Sequence, residues 1–274
     1  MNKVEYEKEV TPIKEQNDTK LVIVQQNVRG RDIHNGVWSI QDYKELIKEV
    51  KGESPDIIFL TEFYYQLMYG VTKKILEGYD FIKPIGLSED DEKKKDLYAA
   101  CILAIKRTKV TKDNQFELEN MLIYRYICVD LKIEDKIIIK TLLMYVPQTY
   151  KAKKSRVEQK RKMLCSASKY IAKNCDNLLF VGGDMNSDID GKTTTCIDVF
   201  EQIYKKMIDT DYKKGATWNG KRLDYALVSR IMQGSVNTIP IKTKSDHKGL
   251  KTVYLVCRSE NSSLYFSEKV DTKS

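Results

Sequence analysis

Short apolar runs rich in β-branched residues recur along the whole chain, and nearly all are too short for a helix core. KLVIVQQ (20–26) and DIIFLT (56–61) are the first two. Runs of about four to eight such residues, bounded by turn signals, read as buried strands. Further strands are expected at 98–106, 124–133, 136–146, 177–182, 222–229 and 251–257, with SVNTIP (235–240) as another between the last two. The pair 124–133 and 136–146 reads as a hairpin around Glu134, Asp135 and Lys136. Helical periodicity is rarer. Ser39 opens one helix, with Asp42 at capping-box spacing and Ile40, Tyr43, Leu46, Ile47 and Val50 on one face. Pro55 closes that segment, and a second helix is expected over Ser155 to Lys173. Strands outnumber helices and pair with their sequence neighbours, which favours two packed sheets with helices outside over a regular βαβ repeat.

With 274 residues the chain is long enough for one large domain, placed at 20–258 between polar tails at 1–19 and 259–274. Hydrophobic residues make up 42% and charged residues 31%, which suits a globular protein with a substantial core. No apolar run approaches the roughly 20 residues of a membrane helix, and the first residues carry no apolar segment of a secretion signal. The six cysteines form no C-x-x-C, and several lie inside apolar runs such as AACILAI and YICVDL. A disulfide framework or zinc site is therefore not expected, and a reducing, cytoplasmic setting fits better. The net charge of +8 admits two readings. One is a nucleic-acid partner, favoured by counterion release; the other is a general lysine bias, since lysine is spread through every region.

Polar residues with chemistry mark the ends of these runs. Asn27 ends LVIVQQN, Glu62 ends DIIFLTE and Tyr145 ends KTLLMY. Asp184 and Asn186 follow LLFVGG, Asp224 lies in KRLDYALVS, and Asp246 and His247 stand in KSDHKGL before the last strand. Any one of them alone reads as a turn residue capping backbone amides. Their order, N…E…GDxN…D…SDH, is more specific. It resembles the endonuclease/exonuclease/phosphatase superfamily, which includes the exonuclease III-type abasic-site endonucleases and DNase I. The segments VQQNVRG, IIFLTE, LLFVGGDMNSD, TWNGKRLDYALVS and KSDHKGL carry the resemblance across nearly the whole chain. What it implies is an α+β fold, a four-layer αββα sandwich of two packed mixed sheets flanked by helices, with a site at the mouth between the sheets.

The implied chemistry suits the residue types. Two negative oxygens on a phosphodiester repel a nucleophile, so catalysis needs cations, a base and hydrogen-bond donors. Oxygen ligands match Mg²⁺ or Mn²⁺. By the resemblance, Glu62 is the principal metal ligand, assisted by Asn27 and Asp246 directly or through water. His247 exchanges protons near neutrality, oriented by Asp224. Asp184 aligns or deprotonates the attacking water, leaving open whether it or His247 is the base. Asn186, Tyr145 and Asn27 would hydrogen-bond the phosphate.

The match also has gaps. Phe63 and Tyr64 follow Glu62 where abasic-site endonucleases soon place a lysine, Gln148 replaces the asparagine of YVPN, and SDIDGKT follows GDMN. Arg29 stands where many of those enzymes have an acid, and no histidine lies between His34 and His247, where DNase I-like members place a second catalytic one. The tyrosyl-DNA phosphodiesterase branch has a tryptophan before its first Asn motif, which is absent here. His34 reads as a loop residue rather than a ligand, and Trp218 as packing at a loop, though the abasic-site enzymes place a tryptophan similarly. The run 151–162 carries seven basic residues against one acid, reading either as a solvated helix face or as a phosphate-tracking strip through Lys151, Lys153, Lys154 and Arg156. The leading expectation is a nuclease acting on DNA rather than RNA. The alternatives are hydrolysis of a small or lipid-derived phosphate ester, and an inactive nucleic-acid-binding module.

Overall fold

In the computed structural model β1 (Thr19–Asn27) is buried at all but one of its nine residues and lies parallel to β2 (Ile57–Phe63). The structure describes residues 19–94, 97, 99–149, 152–189, 195–211, 215–233 and 235–256. Parallel neighbours need a crossover, supplied by the five-residue α1 (Gly30–His34) and by α2 (Ile40–Gly52). Ser39 caps α2 as its sequence implies: its Oγ accepts from Asp42 N at 3.0 Å, and Asp42 Oδ2 accepts from Ser39 N at 3.2 Å. Then follow α3 (Tyr65–Ile75), β3 (Tyr79–Ile82), the single turn α4 (Glu89–Glu92), β4 (Ala100–Lys106), β5 (Val110–Phe116), β6 (Tyr126–Ile133) and β7 (Ile137–Tyr145). The hairpin of β6 and β7 has the expected turn, Ile133 pairing with Ile137. A second crossover, α5 (Lys154–Asn174), carries the chain from β7 to its parallel neighbour β8 (Leu179–Asp184). The remainder is α6 (Ile197–Lys206), β9 (Ile208–Asp209), β10 (Asp224–Val228), β11 (Val236–Ile241) and β12 (Gly249–Val256).

These strands build two mixed six-stranded sheets, ordered β11-β12-β1-β2-β4-β3 and β5-β6-β7-β8-β10-β9. Three apolar layers divide the molecule. Between the sheets pack Leu21, Ile23, Phe59, Leu103, Leu143 and Phe180. Outside the first sheet, Tyr43, Leu46, Ile47 and Val50 of α2 and Met68 of α3 cover Ile58 and Leu60. Outside the second, α5 and α6 cover Leu142, Val181 and Leu227. The arrangement is helix, sheet, sheet, helix, as the motif order implied. Each fully buried large side chain, Phe59 for example, contributes about 1.5–3 kcal/mol.

Of the elements that escape the sequence reading, three are instructive. β5 reads VTKDNQF and is largely exposed, so it is held by main-chain pairing to β6 without an apolar pattern. α3 follows β2 almost directly, and its TEFYYQLMYGV context looks like a continuing strand. α6 carries a helical signature, with Ile197, Phe200, Ile203 and Tyr204 on one side, that the sequence reading passed over.

Candidate active site

The second sheet delivers one row of polar residues. Across neighbouring strands Tyr145 pairs with Asp184, and Asp184 with Asp224, so the ends of β7 and β8 meet the start of antiparallel β10. Gly183 makes this possible. Its φ is +120°, and a Cβ there would lie 2.0 Å from the Met144 carbonyl oxygen, so only glycine lets β8 run against β7 at this point. The first sheet supplies the opposing wall. Asn27 ends β1, and His247 stands just before β12, which runs antiparallel to β1. Pairing between β2 and β4 shifts between Leu60 and Phe63, and Glu62 has a φ of 54°. Such an irregularity re-aims a side chain, and here it turns Glu62 into the mouth between the sheets.

Three hydrogen bonds join the two sheets there. Tyr145 Oη donates to Glu62 Oε1 at 2.7 Å, Asn27 Nδ2 donates to Asp184 Oδ2 at 3.3 Å, and His247 Nδ1 lies 3.0 Å from Asp224 Oδ2. Asp184 Oδ1 also accepts from Asn186 N at 2.9 Å, while Asn186 Nδ2 donates to the Val146 carbonyl at 2.9 Å. A cleft of about 120 Å³ is lined by Asn27, Glu62, Tyr145, Asp184, Asn186, Asp246 and His247 together. Asp224 is held behind His247.

Burial sets the electrostatics. Asp184 is 1% exposed. Desolvation first, then the charge of Asp224, raise its pKa from 3.8 to about 7. Desolvation works against the His247 cation, but the Asp224 carboxylate beside it outweighs this and raises the imidazole to about 10. Burial likewise lifts the Tyr145 hydroxyl well above its ordinary range, so it stays a donor to Glu62.

Asp184, Asp224 and His247 are close enough to share an ion, with one ligand atom from each within 4.8 Å of the others. The Nδ1 of His247 is already committed to Asp224, however. Glu62 fits a metal better. Tyr145 occupies one of its oxygens, and Oε2 has no protein donor among the described residues. Asp246 is less available: Trp218 Nε1 donates to its Oδ2 at 3.1 Å, and Arg29 Nε lies 3.4 Å from its Oδ1. Asn27 offers a neutral oxygen, which also accepts from Arg29 N at 3.0 Å. The set is all oxygen, which suits a hard divalent cation.

The basic run divides. Lys153 and Lys154 are exposed at the start of α5, Arg156 lines a cavity beside the cleft, and Lys151 lies outside the described residues. Lys160 turns inward and is fully buried, its Nζ donating to the Asn186 carbonyl at 2.6 Å; burial lowers its pKa to about 8. The sequence held a signal for this, because Lys160 shares the i, i+3, i+7 face of Val157, Leu164, Ala167 and Ile171. Trp218 stands in a loop and its ring also forms part of the cleft wall, its centroid 5.9 Å from that of His247. Arg29, in a left-handed backbone conformation, also lines the cleft and pairs with Asp32. His34 ends α1 and is not among the cleft residues.

No protein-family model matches the chain, and no curated protein matches its sequence. Solved structures do. Danio rerio TDP2 complexed with a single-strand DNA product superposes with a TM-score of 0.64 at 17% identity, covering 86% of this chain and 99% of that one. An endonuclease/exonuclease/phosphatase family protein from Bacteroides thetaiotaomicron gives 0.63 at 16%, covering 87% and 98%. The mannosyl-6-phosphatase Bt3783 of the same bacterium gives 0.60 at 19%, covering 86% and 99%. At these identities the likeness speaks to architecture, and the chain has the fold of the endonuclease/exonuclease/phosphatase proteins.

Proposed function

We propose that the chain is a divergent member of the endonuclease/exonuclease/phosphatase superfamily that hydrolyses a phosphoric ester, with a nucleic-acid phosphodiester as the preferred substrate. The observation that carries this is the convergence of Glu62, Asp184 and the Asp224–His247 pair from both sheets on one cleft. The Danio rerio protein of the same fold is complexed with single-strand DNA product, and the net charge of +8 favours a polyanion.

The pKa shifts favour one division of the proton work. His247, held as a cation by Asp224, donates a hydrogen bond to a non-bridging phosphate oxygen and offsets charge as it develops there. Asp184 titrates near neutrality and can take the proton of an attacking water while Asn27 and the Asn186 amide fix its carboxylate. Lys160 holds the Asn186 loop from behind. Glu62, with Asn27, would hold Mg²⁺ or Mn²⁺, which when bound would supply positive charge at the phosphate.

A panel of abasic, double-stranded and single-stranded DNA, RNA and a small phosphodiester, each with Mg²⁺, tests the reading. Turnover of a nucleic acid is expected. Turnover of the small ester alone would move the substrate to small phosphates, and none on any member would refute the hydrolase.

A further inference from the structure

A second cavity of about 190 Å³ adjoins the cleft and shares Arg31, Glu62, Tyr145 and Gln148 with it. Its other charged lining is Arg125 and Arg156, so three guanidinium groups face one carboxylate, and that carboxylate is already bonded to Tyr145. Among the described residues none of the three arginines has an ion-pair partner, whereas Arg29, Arg107, Arg161 and Arg222 each have one. Arg125 is the most telling. Its guanidinium carbon lies 4.5 Å from the centroid of the Tyr145 ring, which fixes the group beside the catalytic row, yet its Nη1 is buried with no hydrogen-bond partner. A charged donor kept from water without an acceptor is a costly arrangement. An anion in the cavity that drew the guanidinium outward would supply that acceptor.

We propose that Arg31, Arg125 and Arg156 form a subsite for a second phosphate of the substrate, next to the ester that is cleaved; the proposal rests on the hydrolase reading above. The planar guanidinium fork matches tetrahedral phosphate oxygens in pairs. Arg31 and Gln148 border both cavities, so the two phosphates belong to one ligand. The second phosphate comes either from the next position of a nucleic-acid strand or from a small bisphosphate. The reading also gives Arg156 a role separate from its basic neighbours: it binds one phosphate at a defined place, while Lys153 and Lys154 remain solvated.

The test compares a dinucleoside monophosphate, the same dinucleotide carrying a terminal phosphate, and a nucleoside bisphosphate. In the wild type the terminal phosphate should lower KM by about tenfold or more, as charge-assisted pairing implies. Arg156→Gln alters an exposed helix position, and Arg125→Gln the buried donor. Both should erase that preference, read as the ratio of KM values with and without the terminal phosphate. The better of the two phosphate-bearing ligands identifies the source. Equal KM values with and without the terminal phosphate in the wild type would overturn the subsite. Calorimetric titration of metal-free protein with the nucleoside bisphosphate needs no hydrolysis. If no ester is cleaved, the hydrolase reading fails alone, and the subsite stands if this binding is lost in Arg156→Gln and falls if it is unchanged.

Discussion

Arg222 and Asp224 lie two residues apart where the chain enters β10, and both are almost fully buried, yet their surroundings differ in kind. Arg222 is neutralised in place. Its Nη2 donates to Asp209 Oδ1 at 2.6 Å, its Nη1 reaches the other oxygen of the same carboxylate, Asp211 lies 3.9 Å away, and its guanidinium stacks 4.6 Å from the centroid of the Tyr225 ring. Asp224 faces a histidine, but that histidine also faces Asp184, so two acids compete for one cation. The first cluster closes a sheet edge. The second keeps an unresolved charge balance open to a cleft, which is where shifted acids and bases become chemically useful.

Removing His247 should have the largest effect. His247→Ala is expected to lower turnover by roughly 10²–10⁴-fold, the usual worth of a positioned proton or charge partner, without unfolding the chain. Circular dichroism alongside steady-state kinetics checks both parts; near-wild-type turnover would make the cluster structural, like its neighbour. Arg222→Ala should do the opposite, costing about 3–5 kcal/mol of stability because buried Asp209 and Asp211 lose their cation. Urea unfolding reads this, and turnover per folded molecule should fall much less than in His247→Ala.

The third expectation concerns pH. Asp184 is an acid whose pKa is raised on folding, from 3.8 to about 7. Between those values the folded state binds more protons than the unfolded state, so its contribution to stability falls as pH rises through the window. Asp184→Asn removes that penalty. Without divalent metal the variant should be more stable than wild type at pH 8, by on the order of 1–3 kcal/mol, with the advantage vanishing near pH 4. Its catalysis should be lost. A constant stability difference across that range would show that Asp184 does not titrate as described.

Most of the strand framework was legible because sheets buried on both faces leave continuous apolar runs such as LVIVQQ and LLFVGG. The residues on the polar row were legible for a related reason: each stands at one end of such a run, so strand pairing alone brings Tyr145, Asp184 and Asp224 level. What was hidden depends on backbone or depth. Nothing local to Glu62 announces a left-handed φ, and Asp246 looks as available as Glu62 until Trp218 and Arg29 are placed against it. Arg125 was invisible as a site residue because it opens an ordinary strand hairpin and acquires its meaning only from the Tyr145 ring and Arg156 across the cavity.

The most direct measurement strips the protein with EDTA and follows Mn²⁺ binding and phosphodiester turnover on the same samples, in the wild type and in Glu62→Gln. The wild type should be silent when stripped, bind Mn²⁺ and recover turnover with Mn²⁺ or Mg²⁺, while Glu62→Gln, folded, should do neither. Full turnover by the stripped wild type, or unchanged Mn²⁺ affinity in Glu62→Gln, would contradict the account.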